Sequence, residues 1–339
     1  MKKWTRIFIL AGIAGLAGVL VFAVWKNRID TGNDKQIIKI GVAVYQGKDI
    51  FISSITDNLL SLVNEEEDYR DMNIKIDISD GQGNQITQNE QVEKYINLGY
   101  DVICVNLVDR TNAAPIIEQA AYAQIPVIFF NREPVEEDMF LEDNIYYIGS
   151  DPRESAVLQA EILLDAWTKD KSILDKNNDG IIEYAVLEGE QGHQDTIIRT
   201  EQSVETLNKG GLILQKVAGG CANFDRGQAA AMVEHWLKDQ EKYIELLISN
   251  NDDMALGALD AIHKLEKEEF AMVGIDGTPQ GKEAVDKGEM LGTVVSDAEA
   301  YARSIFEMAY ALSYKKDISE VVELDRDRYV WMPWEKHVK

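Results

Sequence analysis

The segment Asp175-Lys176-Asn177-Asn178-Asp179-Gly180-Ile181-Ile182-Glu183 places oxygen-bearing side chains at positions one, three, five and nine of a loop, with glycine at six. Oxygen donors on alternate residues can converge on one hard cation, and Gly180 allows the sharp turn that brings the Ile181 carbonyl inward. The chemistry favours calcium, held by Asp175, Asn177, Asp179, Glu183 and the carbonyl of Ile181. A complete loop of this type closes its shell with a bidentate glutamate at position twelve. Here that position is Val186, inside an apolar run. Either the missing carboxylate comes from elsewhere in the chain, or the segment is only an acidic turn.

A second set of polar residues recurs directly after short apolar runs: Asp49 with Phe51, Asn106 with Asp109, Asn131, Ser150 with Asp151, His193 with Asp195, Asn250 to Asp253, Asp276, and Ser296 with Asp297. Asn, Asp and Ser also favour helix N-caps for backbone reasons alone, so each of these has a purely structural reading beside the functional one. The runs that carry them are bounded by turn residues and alternate with segments of helical periodicity, the pattern of a parallel α/β sheet. Strands are expected at Ile37–Val44, Ile74–Ile78, Val102–Leu107, Pro126–Phe130, Tyr146–Gly149, Tyr184–Leu187, Leu212–Val217, Leu246–Ser249, Met272–Ile275 and Gly292–Val295. That number exceeds one comfortable sheet. The α/β reading is therefore two doubly wound parallel-sheet lobes, with the chain crossing between them near Phe130 and again near Ser296. In such sheets ligands bind beyond the carboxyl ends of the strands, where these polar residues stand.

With 59 Asp and Glu against 34 Lys and Arg, the formal charge of -25 repels phosphate backbones, so nucleic acid is not an expected partner. Lys2, Lys3 and Arg6 precede an uncharged run from Ile7 to Trp25, which Lys26 and Arg28 end. Its length just suffices to cross a hydrocarbon core of roughly 30 Å. Leu16-Ala17-Gly18 matches the approach to a lipidated cysteine, but Val19 follows, and no convincing small-x-small cleavage site precedes Lys26. Residues 1–29 therefore read as a signal or anchor segment, preferably an uncleaved anchor with the body outside the cell, and 30–36 as a linker. Cys104 and Cys221 lie far apart in sequence and read as buried thiols, not as a disulfide framework.

The blocks IGVAVY leading to Asp49 and Phe51, VNLVD, VIFFNREP, the loop at Asp175, GEQGHQDTIIRT, SNNDDMALGA, GIDGTP and GTVVSDA resemble the bacterial galactose/glucose-binding proteins, and they occur in that family's order. The resemblance runs from about Ile37 to the C-terminus. It implies the type I periplasmic binding protein fold, with 37–129 plus 297–330 as the N-terminal lobe and 130–296 plus 331–339 as the C-terminal lobe that carries the calcium loop. It also implies that Asp49, Asn106, His193, Asp195, Arg199, Asn251 and Asp276 hydrogen-bond a monosaccharide. Carboxylates accept from hydroxyls, Arg199 donates in a planar fork, and Asn251 does both. Phe51 and Phe224 would flank the ring, and Glu245 would supply the remaining bidentate calcium ligand. Two positions depart from the family's pattern. Phe224 stands where tryptophan is usual, which reduces one stacking face, and Ser296 stands where asparagine is usual, which shortens the reach toward one hydroxyl.

An enzyme would need more than carboxylates. His193 with Asp195, or Asp49 with Asp276, could serve as an acid–base pair, but no G-x-S-x-G elbow, H-E-x-x-H helix, Walker loop or C-x-x-C pair is present. The expectation is a monomeric, non-enzymatic binder of a hexose, glucose, galactose or a galactoside, with structural calcium. Its expected membrane partner is the permease of an ABC importer. The alternative is a tethered sensor subunit signalling to a histidine kinase or chemoreceptor, which the anchor segment makes a real rival.

Overall fold

The computed structural model describes residues 37–70, 73–239 and 243–339. The expected anchor and linker, residues 1–36, lie outside the described residues. Among the described residues no helix is long and apolar enough to cross a membrane.

The first lobe alternates β1 (Ile37–Val44), α1 (Ile50–Arg70), β2 (Asn73–Asp80), α2 (Gln85–Asn97), β3 (Val102–Val105), α3 (Ala114–Tyr122), β4 (Val127–Phe130), the single turn α4 (Glu136–Met139) and β5 (Ile145–Gly149). The second contains α5 (Pro152–Lys169), β6 (Ile182–Glu188), α6 (Gln194–Lys209), β7 (Leu214–Cys221), α7 (Arg226–Lys238), β8 (Leu246–Ser249), α8 (Asp252–Leu265), β9 (Ala271–Asp276), α9 (Pro279–Lys287) and β10 (Gly292–Ser296). The chain then returns to the first lobe for α10 (Ala298–Ser313) and β11 (Tyr329–Trp331), and ends in the second with β12 (Trp334–Val338). Two six-stranded sheets result, ordered β11-β5-β4-β3-β1-β2 and β12-β10-β9-β8-β6-β7. Among the named strands every pairing is parallel except that of β12 with β10.

Helices cover both faces of each sheet, which is why the inner strands read as nearly continuous apolar runs, while the edge strands β2 and β7 are more polar and less buried. Successive residues of β4 divide between two cores: Ile128 and Phe130 join α1 and α10 on one face, while Val127 and Phe129 join α2 and α3 on the other. The second sheet is divided likewise, with α7, α8 and α9 on one side and α5 and α6 on the other.

The first crossing is displaced from its expected place. β5 pairs with β4, Val127 facing Ile145 and Phe130 facing Ile148, so the chain leaves the first lobe after Gly149 and not at Phe130. Strand counting had no means of assigning β5, because an apolar strand suits the interior of either sheet equally. The later crossings fall between Ser296 and Ala298 and between Trp331 and Trp334. No disulfide joins the cysteines; Cys104 is buried, and Cys221 is only half-buried.

Candidate functional site

Each sheet reverses its winding where a central pair of strands diverges, at β1 and β3 in the first lobe and at β6 and β8 in the second. Crevices beyond the carboxyl ends of such pairs are the ligand sites of doubly wound sheets. The two lobes fasten theirs alike. Asn106, after β3, accepts the Tyr45 N–H on Oδ1 at 3.3 Å, and Asn250, after β8, accepts the Gly189 N–H on Oδ1 at 3.1 Å. Asn106 Nδ2 donates to the Phe130 carbonyl and to Asn131 Oδ1, both at 3.2 Å. Its amide is thus committed at both ends, and it stands behind the site wall.

Between the lobes Asp49, Phe51, His193, Asp195, Arg199, Phe224, Asn251 and Asp276 line one chamber, together with Tyr45, Ile52, Asn131 and Arg132. Of the residues expected at the site, Asn106 and Ser296 do not line it; Ser296 faces an adjoining crevice. The chamber is narrow, about 30 Å³. It shares Arg132, His193 and Asp195 with a crevice of about 260 Å³, and Phe51 and Asp276 with another of about 410 Å³. Ligand pockets for small molecules span roughly 300–1,000 Å³, so a monosaccharide needs the chamber together with part of these crevices.

The capping reading and the site reading hold for the same residues. Asp49 Oδ1 accepts the Ile52 N–H at 2.9 Å at the start of α1, while its Oδ2 accepts the Tyr45 hydroxyl at 2.6 Å. Asn251 caps α8 through Oδ1, accepting from Met254 at 3.0 Å, which leaves Nδ2 as a donor. His193 caps α6 through Nδ1, which accepts the Asp195 N–H at 3.1 Å. That bond fixes the tautomer and leaves Nε2–H to donate. Caps hold these side chains rigidly at strand-to-helix turns, where their remaining polar atoms can serve a ligand.

Two of the chamber's carboxylates, Asp195 and Asp276, gather around Arg199. Arg199 donates to the Asn250 carbonyl at 2.9 Å and to Asp195 Oδ2 at 3.1 Å, with Asp276 Oδ1 at 3.8 Å. Its Nε is buried without a partner. Burial raises the Asp195 and Asp276 carboxyls above the ordinary range, and Arg199 offsets this only in part. Burial, with Arg132 and Arg199 nearby, holds His193 well below its usual value and therefore neutral. The 3.9 Å approach of His193 to Asp195 is accordingly not an ion pair. Backbone strain gathers here too: Asn131, Phe224 and Asp276 have φ of 62°, 55° and 112°. A phenylalanine in the left-handed region costs free energy that the surrounding structure must supply, a feature common at ligand sites.

Sequence reasoning missed Tyr45 and Arg132. Both lie inside blocks that were singled out, IGVAVY and VIFFNREP, but neither follows a strand as a typical cap, so nothing marked them as part of a wall. The Arg132 guanidinium lies 3.5 Å from the centroid of the Tyr45 ring.

In the acidic loop, Glu245 is fully buried and reaches across from the residue before β8. Its Oε1 accepts from the N–H groups of Lys176 and Asn177 at 2.7 and 3.0 Å, and its Oε2 from that of Glu183 at 3.2 Å. Asp175 accepts from Asp179 and Gly180 at 3.1 and 3.0 Å. Among the described residues no three His, Cys, Asp or Glu side chains form a preformed metal cluster. The donor set is nevertheless all hard oxygen, as calcium requires. Desolvation and the adjacent Glu245 push the Glu183 carboxyl up to about 7, a crowding of like charge that a divalent cation would relieve.

Two lobes joined by three crossings, with polar caps and two aromatic rings facing one chamber, define a cleft-type ligand-binding protein. The chain belongs to the periplasmic binding protein domain family, which matches residues 40–317. That membership places it outside the cell membrane and among binding proteins, not enzymes. It is 33% identical over 301 residues to the D-galactose/methyl-galactoside binding periplasmic protein MglB of Haemophilus influenzae, covering 87% of this chain and 88% of that one. It is 24% identical over 301 residues to the ribose import binding protein RbsB of Bacillus subtilis, covering 88% of each. A solute-binding protein of an ABC transporter from Bacillus halodurans, solved with myo-inositol, superposes with a TM-score of 0.72 at 28% identity, over 90% of this chain and 96% of the other.

Proposed function

We propose that the chain binds a hexose, either glucose or galactose, or a galactoside, between its lobes and presents it to the permease of an ABC importer. One observation carries the reading. Carboxylates (Asp49, Asp195, Asp276), donors (Arg199, His193 Nε2, Asn251 Nδ2) and two aromatic rings (Phe51, Phe224) line a single chamber contributed by both lobes. A pyranose offers hydroxyls that accept and donate around its edge and apolar C–H faces above and below, which is the complement of this lining. Contacts from both lobes stabilise the closed form over the open one, and closure is the state a permease can read. Relatives named as import binding proteins favour transport over the sensor alternative. Calorimetric titration with galactose, glucose, xylose, ribose and myo-inositol tests the assignment; binding of the pentoses or the inositol alone would sink the hexose.

The same reading assigns calcium to Asp175, Asn177, Asp179, the Ile181 carbonyl, Glu183 and Glu245, where it would staple the loop before β6 to the start of β8. Residues 1–29 would tether the protein to the membrane as an uncleaved anchor. N-terminal sequencing of the protein recovered from membranes tests that assignment, and a mature chain starting beyond Lys26 would refute it.

A further inference from the structure

Most polar bonds near the cleft stay within one lobe, but Arg132 and Glu190 meet across it. Arg132 follows β4 in the first lobe and Glu190 follows β6 in the second; their Nη1 and Oε2 lie 3.0 Å apart, with side-chain exposures of 5% and 31%. Arg132 is already fixed by its own lobe. It donates to the Val108 carbonyl at 2.9 Å and stacks on Tyr45, so little side-chain entropy remains to be lost when Glu190 arrives. Tyr45 in turn donates to Asp49 Oδ2. On the other side the Glu190 carbonyl accepts the His193 N–H at 3.2 Å, closing the turn that aims the imidazole into the chamber. The pair therefore joins the Tyr45–Asp49 wall of one lobe to the Glu190–His193 turn of the other. Other polar contacts also join the lobes near the chamber: Gln194 Nε2 donates to Glu133 Oε2 at 3.3 Å, with only one charged partner, and Lys48 lies 3.4 Å from Asp225 with its side chain exposed to 66%, which contributes little.

We propose that Arg132 and Glu190 form a direct lobe-to-lobe latch that favours closure whether or not a ligand is present and sets how long a bound sugar is retained. The proposal rests on the sugar-cleft reading for its second half only. When the lobes part, Arg132 keeps its bonds to Val108 and Tyr45 while Glu190 returns to water, so the pair has two discrete states, as a switchable contact must. Both are positioning residues, holding Asp49 and His193 in place.

The test uses the full chain purified in detergent, with Cys221→Ser and one spin label on an exposed site of each lobe, Tyr122 and Ile213. Distance distributions are measured without sugar, and stopped-flow kinetics with D-galactose as the probe. Glu190→Gln keeps the shape and an acceptor but removes the charge. It should shift the sugar-free distribution toward the separated lobes and raise the galactose dissociation rate on the order of tenfold, with little change in association. Arg132→Lys, which keeps the charge but loses the planar stack, should fall between Glu190→Gln and the unsubstituted chain. Unchanged distances and dissociation in both variants would overturn the latch. A lowered melting temperature alone would make the pair ordinary packing and overturn it equally. Failure of galactose to bind the unsubstituted chain would count against the sugar reading and leave the sugar-free distances to decide the latch.

Discussion

The ring of Phe224 occupies the space that a side chain on Gly189 would need: a Cβ there would lie 2.0 Å from Cζ and 2.3 Å from Cε1, with Thr196 Oγ1 at 2.5 Å. Gly189 therefore sets the depth at which this stacking face sits, and the ring meets His193 edge-on at 5.5 Å. Gly189→Ala should push Phe224 toward the chamber at a cost of about 1–3 kcal/mol, weakening galactose binding between roughly fivefold and a hundredfold. Calorimetry on the variant checks this; unchanged affinity would mean that the ring is not a wall of the ligand site.

Asp49 and Asn106 were expected to act alike, and their positions separate them. Asp49→Asn retains an oxygen to cap α1 but loses the charged acceptor on the chamber side, so affinity should fall roughly tenfold to a hundredfold with little loss of stability. Asn106→Ala leaves the Tyr45 N–H without its buried acceptor, at about 1–3 kcal/mol of stability, while the Phe130 carbonyl keeps the Arg132 N–H at 2.8 Å. Melting curves and sugar titrations on both variants should show opposite patterns. A Asn106→Ala protein that melts normally yet fails to bind would return Asn106 to the site.

The ten expected strands are all present: the central ones are buried apolar runs bounded by turn residues, a signal local enough to read, and the edge strands β2 and β7 keep apolar residues among polar ones between similar turns. β11 and β12 were missed. Three residues are too few to register, and Trp-Glu-Lys-His-Val carries the polar pattern of an exposed edge. The crossing after Gly149 was equally hidden, since lobe membership depends on which strand β5 pairs with and not on its composition. At the site, caps could be seen in sequence because they obey a local spacing rule. Arg132 and Tyr45 could not, because their roles arise only when two lobes and two loops are brought together.

His193 yields a pH dependence. Burial holds its folded value below the ordinary 6.5, so below pH 6.5 the unfolded chain binds a proton that the folded chain refuses. Stability from this group is thus complete above pH 6.5 and is lost as pH falls below it. His193→Asn retains an acceptor for the Asp195 N–H without titrating, so the stability difference between the unsubstituted chain and this variant should shrink or reverse as pH falls from 7 to 5. Denaturant unfolding at several pH values measures it. A difference independent of pH would show that His193 titrates normally. Asp195 and Asp276, raised by burial, give the opposite slope in both proteins and cancel in the comparison.

Calcium should act on the second lobe's stability far more than on sugar affinity. Its assigned ligands come from the loop before β6 and from Glu245 before β8, and none of them lines the chamber. A site filled to a hundred times its dissociation constant adds about 2.7 kcal/mol, which in a domain of this size raises the melting temperature by roughly 5–10 °C. Chelation should remove that increment while leaving galactose affinity within about twofold, a margin of roughly 0.4 kcal/mol. Glu245→Gln, which keeps the buried acceptor for Lys176 and Asn177 but not the charge, should abolish the response to added calcium. Scanning calorimetry with calcium and with chelator on both proteins decides it. If chelation removed binding at an unchanged melting temperature, the ion would belong to the ligand site and not to the loop.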